Sequence, residues 1–136
     1  MIKRPSGYVR AWARRDGELI WQAEGKNLVV DGAAVIWAKL ALGTATIAEI
    51  GIGTSGDAPD ASDVGLADEW RRPLLTATAA TSTSVAFAWR IYAAEMPTMT
   101  AREMGLFGSD GTLIARKVWS SPQAVAPGLA HGLLMG

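Results

Sequence analysis

The sequence predicts a mainly β, antiparallel, sandwich-like single domain with one short α-helix and an irregular C-terminal arm, and three observations carry that expectation. Asp16-Gly17 and Asp110-Gly111 each stand between short β-prone runs, and Asp-Gly supplies the positive φ that tight hairpins need. Val85, Phe87, Trp89 and Ile91 alternate with Ala86, Ala88, Arg90 and Tyr92, the period of two of a strand with one packed face. From Asp31 to Leu42 no glycine or proline follows position 32, which leaves room for a helix. At 136 residues the chain fits one domain large enough to bury a core.

Taken in order, Tyr8 to Ala13 and Glu18 to Gln22 form the opening hairpin. Asp31 can cap the helix at its N-terminus and Gly43 can close it; only Lys39 is charged between them, so the helix is expected to be covered on most sides. Thr46 to Gly53 reads as a buried strand, Thr54 to Gly65 as a loop around Pro59, and Leu66 to Trp70 as one helical turn. Arg71 to Ala80 and Ser84 to Ala93 read as paired strands. Arg102 to Phe107 and Thr112 to Trp119 flank the turn at Gly108 to Gly111 and form a second hairpin. Residues 1–120 are thus the β-rich domain. Residues 121–136, with Pro122, Pro127 and the apolar ending Leu133, Leu134, Met135, show no regular period and read as the arm.

Composition narrows the function classes. The 13 basic residues balance 13 acidic ones without a block of like charge, which points away from nucleic acid and from anionic membranes. No run of apolar residues is long enough for a signal peptide core or a membrane span, so a soluble protein made in the cytoplasm is expected. Cysteine is absent, which excludes disulfides and thiolate metal sites. Six Trp against two Phe and two Tyr is unusual, and large amphipathic rings serve both cores and interfaces. Trp37 and Trp89 are placed in the core; Trp12, Trp21, Trp70 and Trp119, with Leu133, Leu134 and Met135 of the arm, are the candidates for subunit contacts.

Candidate chemistry is sparse. Gly51, Gly53 and Gly56 spell G-x-G-x-x-G, with Asp68 at a distance suited to a ribose contact. A dinucleotide site needs a helix starting at those glycines, whereas Asp57, Pro59, Asp60 and Asp63 follow, and acid there repels phosphate. Asp57, Asp60 and Asp63 could offer oxygens to a hard cation such as calcium, but the spacing is not that of an EF-hand loop; a solvated loop with Ser62 or Asp63 capping the next turn is the other reading. His131 has no cysteine or neighbouring carboxylate with which to build a nucleophile-base pair or a zinc set. Glu49, Glu69, Glu95 and Glu103 are the remaining acid-base candidates, and nothing in their spacing predicts a pair. Arg71, Arg72, Arg90, Arg102 and Arg116 sit in or beside strands, where ion pairs or interface contacts are expected. The sequence therefore points to a non-enzyme without cofactors.

Asn27 to Gly43 (NLVVDGAAVIWAKLALG), Ile47 to Leu74 (IAEIGIGTSGDAPDASDVGLADEWRRPL) and Arg102 to Trp119 (REMGLFGSDGTLIARKVW), in this order and spacing, resemble a family of small phage tail-fibre and related virion structural proteins. The resemblance spans about Gly17 to Trp119 and implies a virion component that works by assembly: a tail-fibre, fibre-adaptor or baseplate-associated protein, homotrimeric and bound to other virion proteins. Its alternatives are a capsid surface or decoration protein and a module that binds or depolymerises host-surface glycan. Members of that family continue after the last hairpin with another alternating strand, and here the arm stands in its place. The sheet edge so left open is expected to be covered by a neighbouring subunit, with the arm of Ser121 to Gly136 as the exchanged segment.

Overall fold

The computed structural model describes residues 6–15, 17–74, 76–82, 84–91, 97, 99–125 and 129–135, the last two segments from residue 120 onward by their backbone path alone. Among them nine strands and one helix follow one another: β1 (Gly7–Arg15), β2 (Glu18–Val29), α1 (Ala33–Leu42), β3 (Ile47–Gly53), β4 (Trp70–Pro73), β5 (Thr76–Thr81), β6 (Ser84–Trp89), β7 (Met99–Gly108), β8 (Leu113–Val125) and β9 (Leu129–Met135). The order across the sheet is β4-β3-β7-β8-β2-β1-β9-β6-β5, and every pairing is antiparallel.

Strand β2 joins the two halves of this sheet. Its residues up to Asn27 pair with β1, whereas Leu28 and Val29 pair with Arg116 and Ala115 of β8. Gly25, at φ 154°, lies just before the change of partner, a backbone conformation that side-chain-bearing residues rarely adopt. The halves then curl over a common core. Val9, Ala11, Phe87 and Trp89 from one half share a single apolar cluster with Ile50, Ile52, Met104 and Leu106 from the other. The fold is thus mainly β and sandwich-like, as expected, with both hairpins in place; of the alternating run, Phe87, Trp89 and Ile91 are buried, whereas Val85 near the start of β6 is 41% exposed.

Several elements differ from expectation for identifiable reasons. The helix starts two residues later than Asp31, at Ala33, and its N-cap is Gly32 with no side-chain cap. Gly32 is required by a close approach: a Cβ there would lie 2.5 Å from the carbonyl oxygen of Leu113. Gly43 does close the helix, at φ 71°, its N–H donating to Leu40 and Thr44's to Lys39. Leu66 to Trp70 forms a turn with Asp68 at φ 46°, and Trp70 already belongs to β4. The stretch Arg71 to Ala80 is two strands: Arg71 to Pro73 pair with β3, to which the Leu74 N–H still donates at the Ala48 carbonyl, and only Thr76 onward pairs with β6.

The largest correction concerns the C-terminus. Residues 121–125 extend β8 and residues 129–135 form β9, which lies inside the sheet between β1 and β6. The expected boundary at 120/121 therefore falls within a strand, and the expected irregular, exchangeable arm pairs within its own chain. Pro122 is tolerated because the ladder is interrupted beside it. Glu103 stands opposite Val118 and Ala101 opposite Gln123, so Trp119 to Pro122 occupy the bulge between them.

Helix α1 is the second correction. It was expected to be covered on most sides, yet only Ala33 and Ile36 are buried. Ile36 seats over Gly108, where a Cβ would come within 2.3 Å of Ile36 Cδ1. Trp37, expected in the core, is 37% exposed, and Leu42 is 77% exposed. An apolar composition reports that a surface seeks cover; it does not say that the same chain supplies it.

Candidate functional site

The outer face of β3, β7 and β8 carries the most elaborated cluster in the described structure. By strand alternation Glu103, Gly105 and Phe107 of β7 point away from the core that Met104 and Leu106 enter. Arg116 stands opposite Gly105, and Gly51 of β3 stands opposite it on the other side. The loop from Thr54 to Glu69 roofs this face.

Glu103 pins the roof from below. It is fully buried; Oε1 accepts from Arg116 Nε at 2.8 Å, and Oε2 accepts the backbone N–H groups of Ser55 at 2.6 Å and Ala67 at 3.1 Å. One carboxylate thus holds the two ends of the loop to the strand beneath. Arg116, 4% exposed, reaches upward with Nη1, which donates to Asp63 Oδ2 at 2.9 Å and to the carbonyl of Ala58 at 3.4 Å. Burial disfavours the guanidinium charge, but the carboxylates of Glu103 and Asp63 outweigh it and hold its pKa above the ordinary value. The Asp63 carboxylate also accepts the N–H of Asp60.

Apolar contacts complete the roof. A Cβ on Gly51 would lie 2.5 Å from Phe107 Cε2, and one on Gly53 would lie 2.7 Å from Glu103 Oε2 and 2.8 Å from Leu66 Cβ. These glycines leave the space in which Phe107 and Leu66 pack. Arg71 stacks over the Phe107 ring at 4.0 Å and is held by Glu69, with Nε to Oε2 at 2.6 Å, while Glu49 Oε1 lies 3.9 Å from its Nη1.

The sequence candidates can now be placed. Gly51 and Gly53 serve packing, and no helix starts after them; Gly56 is exposed and Asp68 accepts from Thr54 Oγ1. Asp60 accepts from Ser62 N and Oγ, which lowers its pKa, and Asp63 is paired with Arg116, so two of the three loop aspartates are engaged by protein donors. Among the described residues no group of three or more His, Asp or Glu is placed to hold a metal ion. Glu49 and Glu69 both approach Arg71, at 3.9 Å from Nη1 and 2.5 Å from Nη2. Glu95 lies outside the described residues, and of His131 only its backbone position in β9, opposite Trp12, is described.

Of the proposed contact residues, Trp119 is 6% exposed and meets Trp21 edge to face, with ring centroids 5.3 Å apart at 82°. Trp21 and Trp70 are half-buried against the core, and Trp12 is half-buried on β1. Leu133, Leu134 and Met135 pair with Arg10, Val9 and Tyr8 on one side and with β6 on the other; their side chains lie outside the description. Sequence reasoning missed the Glu103–Arg116 pair. Its signal was present: counted back from the Gly108–Gly111 turn, both charges fall on the same face of a hairpin otherwise rich in apolar residues.

No helix among the described residues is long and apolar enough to cross a membrane. Compared with family models, curated proteins and solved structures, the chain matches none.

Proposed function

We propose that the chain is a structural component of a phage-type virion: a tail-fibre, fibre-adaptor or baseplate-associated protein that works as a homotrimer in contact with neighbouring virion proteins. The reading rests on its sequence resemblance, and one structural observation supports it. The landmark residues of the resembling stretches, Gly51, Gly53, Glu103, Phe107 and Arg116, converge on one cluster, and each is committed to holding the Thr54–Glu69 loop on the sheet. Residues committed to building a surface loop suit a protein whose product is shape. Glu103 and Arg116 are buried and bonded to each other and to the loop, so their visible work is to hold that loop in place.

The test is mass spectrometry of purified particles from the phage or prophage that encodes the chain. Peptides from this chain at a stoichiometry comparable to that of tail proteins are expected. Its absence from particles, with accumulation in the soluble lysate, would overturn the reading.

A further inference from the structure

We propose that a single water molecule is bound where the two half-sheets part, hydrogen-bonded to Asn27 Oδ1 and Lys117 Nζ. The site does not depend on the virion reading; it concerns what joins the two halves of the fold.

The backbone forks here. Strand β2 pairs with β8 only through Leu28 with Arg116 and Val29 with Ala115. One step further out, Asn27 is paired instead with Gly7 of β1 and Lys117 with Met104 of β7, so β2 and β8 no longer share a ladder. Strands that diverge leave a wedge that their own backbone groups do not bridge.

Two glycines clear the wedge for two polar side chains. A Cβ on Gly7 would lie 2.0 Å from Asn27 Oδ1, and a Cβ on Gly25 would lie 2.9 Å from Lys117 Nζ. The cavity at this point measures about 10 Å³; Asn27 and Lys117 belong to its lining, and Val9, Ile50, Met104 and Leu106 supply its apolar wall. Asn27 Oδ1 is buried and accepts no hydrogen bond among the described residues. A buried amide oxygen without a donor is costly, and native structures rarely tolerate one.

Size and chemistry select the occupant. Roughly 10–15 Å³ is the space that one water needs, and Asn27 and Lys117 supply enough polar partners to hold it. The bound group must donate to an amide oxygen and accept from Lys117, whose side-chain nitrogen offers donors only. A halide would accept from Lys117 but meet the lone pairs of Asn27 Oδ1. A metal cation or ammonium would take Oδ1 but face the lysine charge. Water does both. The bridge ties β2 to β8 one residue beyond their last backbone pair and so lengthens the seam between the half-sheets.

The test is a high-resolution crystal structure of the full chain, grown with sodium chloride and again with sodium bromide. An oxygen-sized peak about 3 Å from both Asn27 Oδ1 and Lys117 Nζ is expected in both crystals. No peak, or an anomalous bromide signal at the site, overturns the assignment. In solution, oxygen-17 magnetic relaxation dispersion counts long-lived waters. Asn27→Leu, which removes the acceptor at nearly constant volume, should lower that count by one with an unchanged far-ultraviolet circular dichroism spectrum. Lys117→Met, which keeps a long side chain and removes the donors, should do the same, and it decides the matter if Asn27→Leu does not fold. An unchanged count in a folded variant overturns the assignment as well.

Discussion

Glu103 and Arg116 meet as a buried ion pair, Oε1 to Nε at 2.8 Å, beneath a loop that both residues also hold by other atoms. Removing one partner leaves the other charge buried without compensation, a loss of ~3–5 kcal/mol. Glu103→Ala and Arg116→Met are each expected to fall in that range by urea unfolding. The double variant should cost far less than their sum for the ion-pair component, while the N–H groups of Ser55 and Ala67 stay orphaned. Hydrogen exchange at those two amides should accelerate in Glu103→Ala. Additive losses, or protected amides, would contradict the pinning role.

The glycines of the G-x-G-x-x-G stretch separate packing from ligand binding. Gly51→Ala sets a methyl against the Phe107 ring and should destabilise by ~1–3 kcal/mol, as overpacking does. Gly56→Ala meets nothing nearer than Arg102 Cδ at 3.8 Å and should be close to neutral. Thermal melts of the two variants decide the matter; a phosphate-cradling role would instead make both positions sensitive to added nucleotide.

The bond from Lys39 and the N–H of Thr112 lower the Asp110 pKa from 3.8 to about 2. A carboxyl depressed on folding stabilises fully above its unfolded value and loses that contribution as the pH falls through its folded value. The melting temperature should therefore decline between pH 4 and 2, and Asp110→Asn, which keeps the acceptor for Thr112, should flatten this part of the decline. Identical profiles for both proteins would remove Asp110 from the account.

Truncation after Ser120 removes β9 and the end of β8, so β1 and β6 lose the strand that joins them. The truncated chain should lose its near-ultraviolet circular dichroism and aggregate through the exposed edges. A truncated protein that melts cooperatively at the wild-type temperature would show that residues 121–136 are an appendage after all.

What could be read from the sequence had a local cause. The turn glycines Gly17 and Gly111, the Gly43 cap and the alternation from Phe87 to Ile91 each depend on residues near one another in the chain, and each recurs in the structure. Strand β9 could not be read, because Leu133-Leu134-Met135 does not alternate and Pro127-Gly128 precedes it; its place between β1 and β6 depends on partners far away in sequence. Pro122 argued against a strand, and the bulge that admits it is a property of β7 and β8 together. The roof cluster was legible in its residues but not in its geometry. Gly51, Glu103 and Arg116 acquire their roles only when β3, β7 and β8 lie side by side.

Cryo-electron microscopy of intact particles from the encoding phage or prophage, with this chain traced in the map, tests the central claim most directly. The account predicts density at the tail end with copies of the chain arranged about a symmetry axis, the Thr54–Glu69 loop roofed on its sheet. Density confined to the head would replace the tail assignment with a decoration protein, and particles that lack the chain altogether would contradict the virion reading.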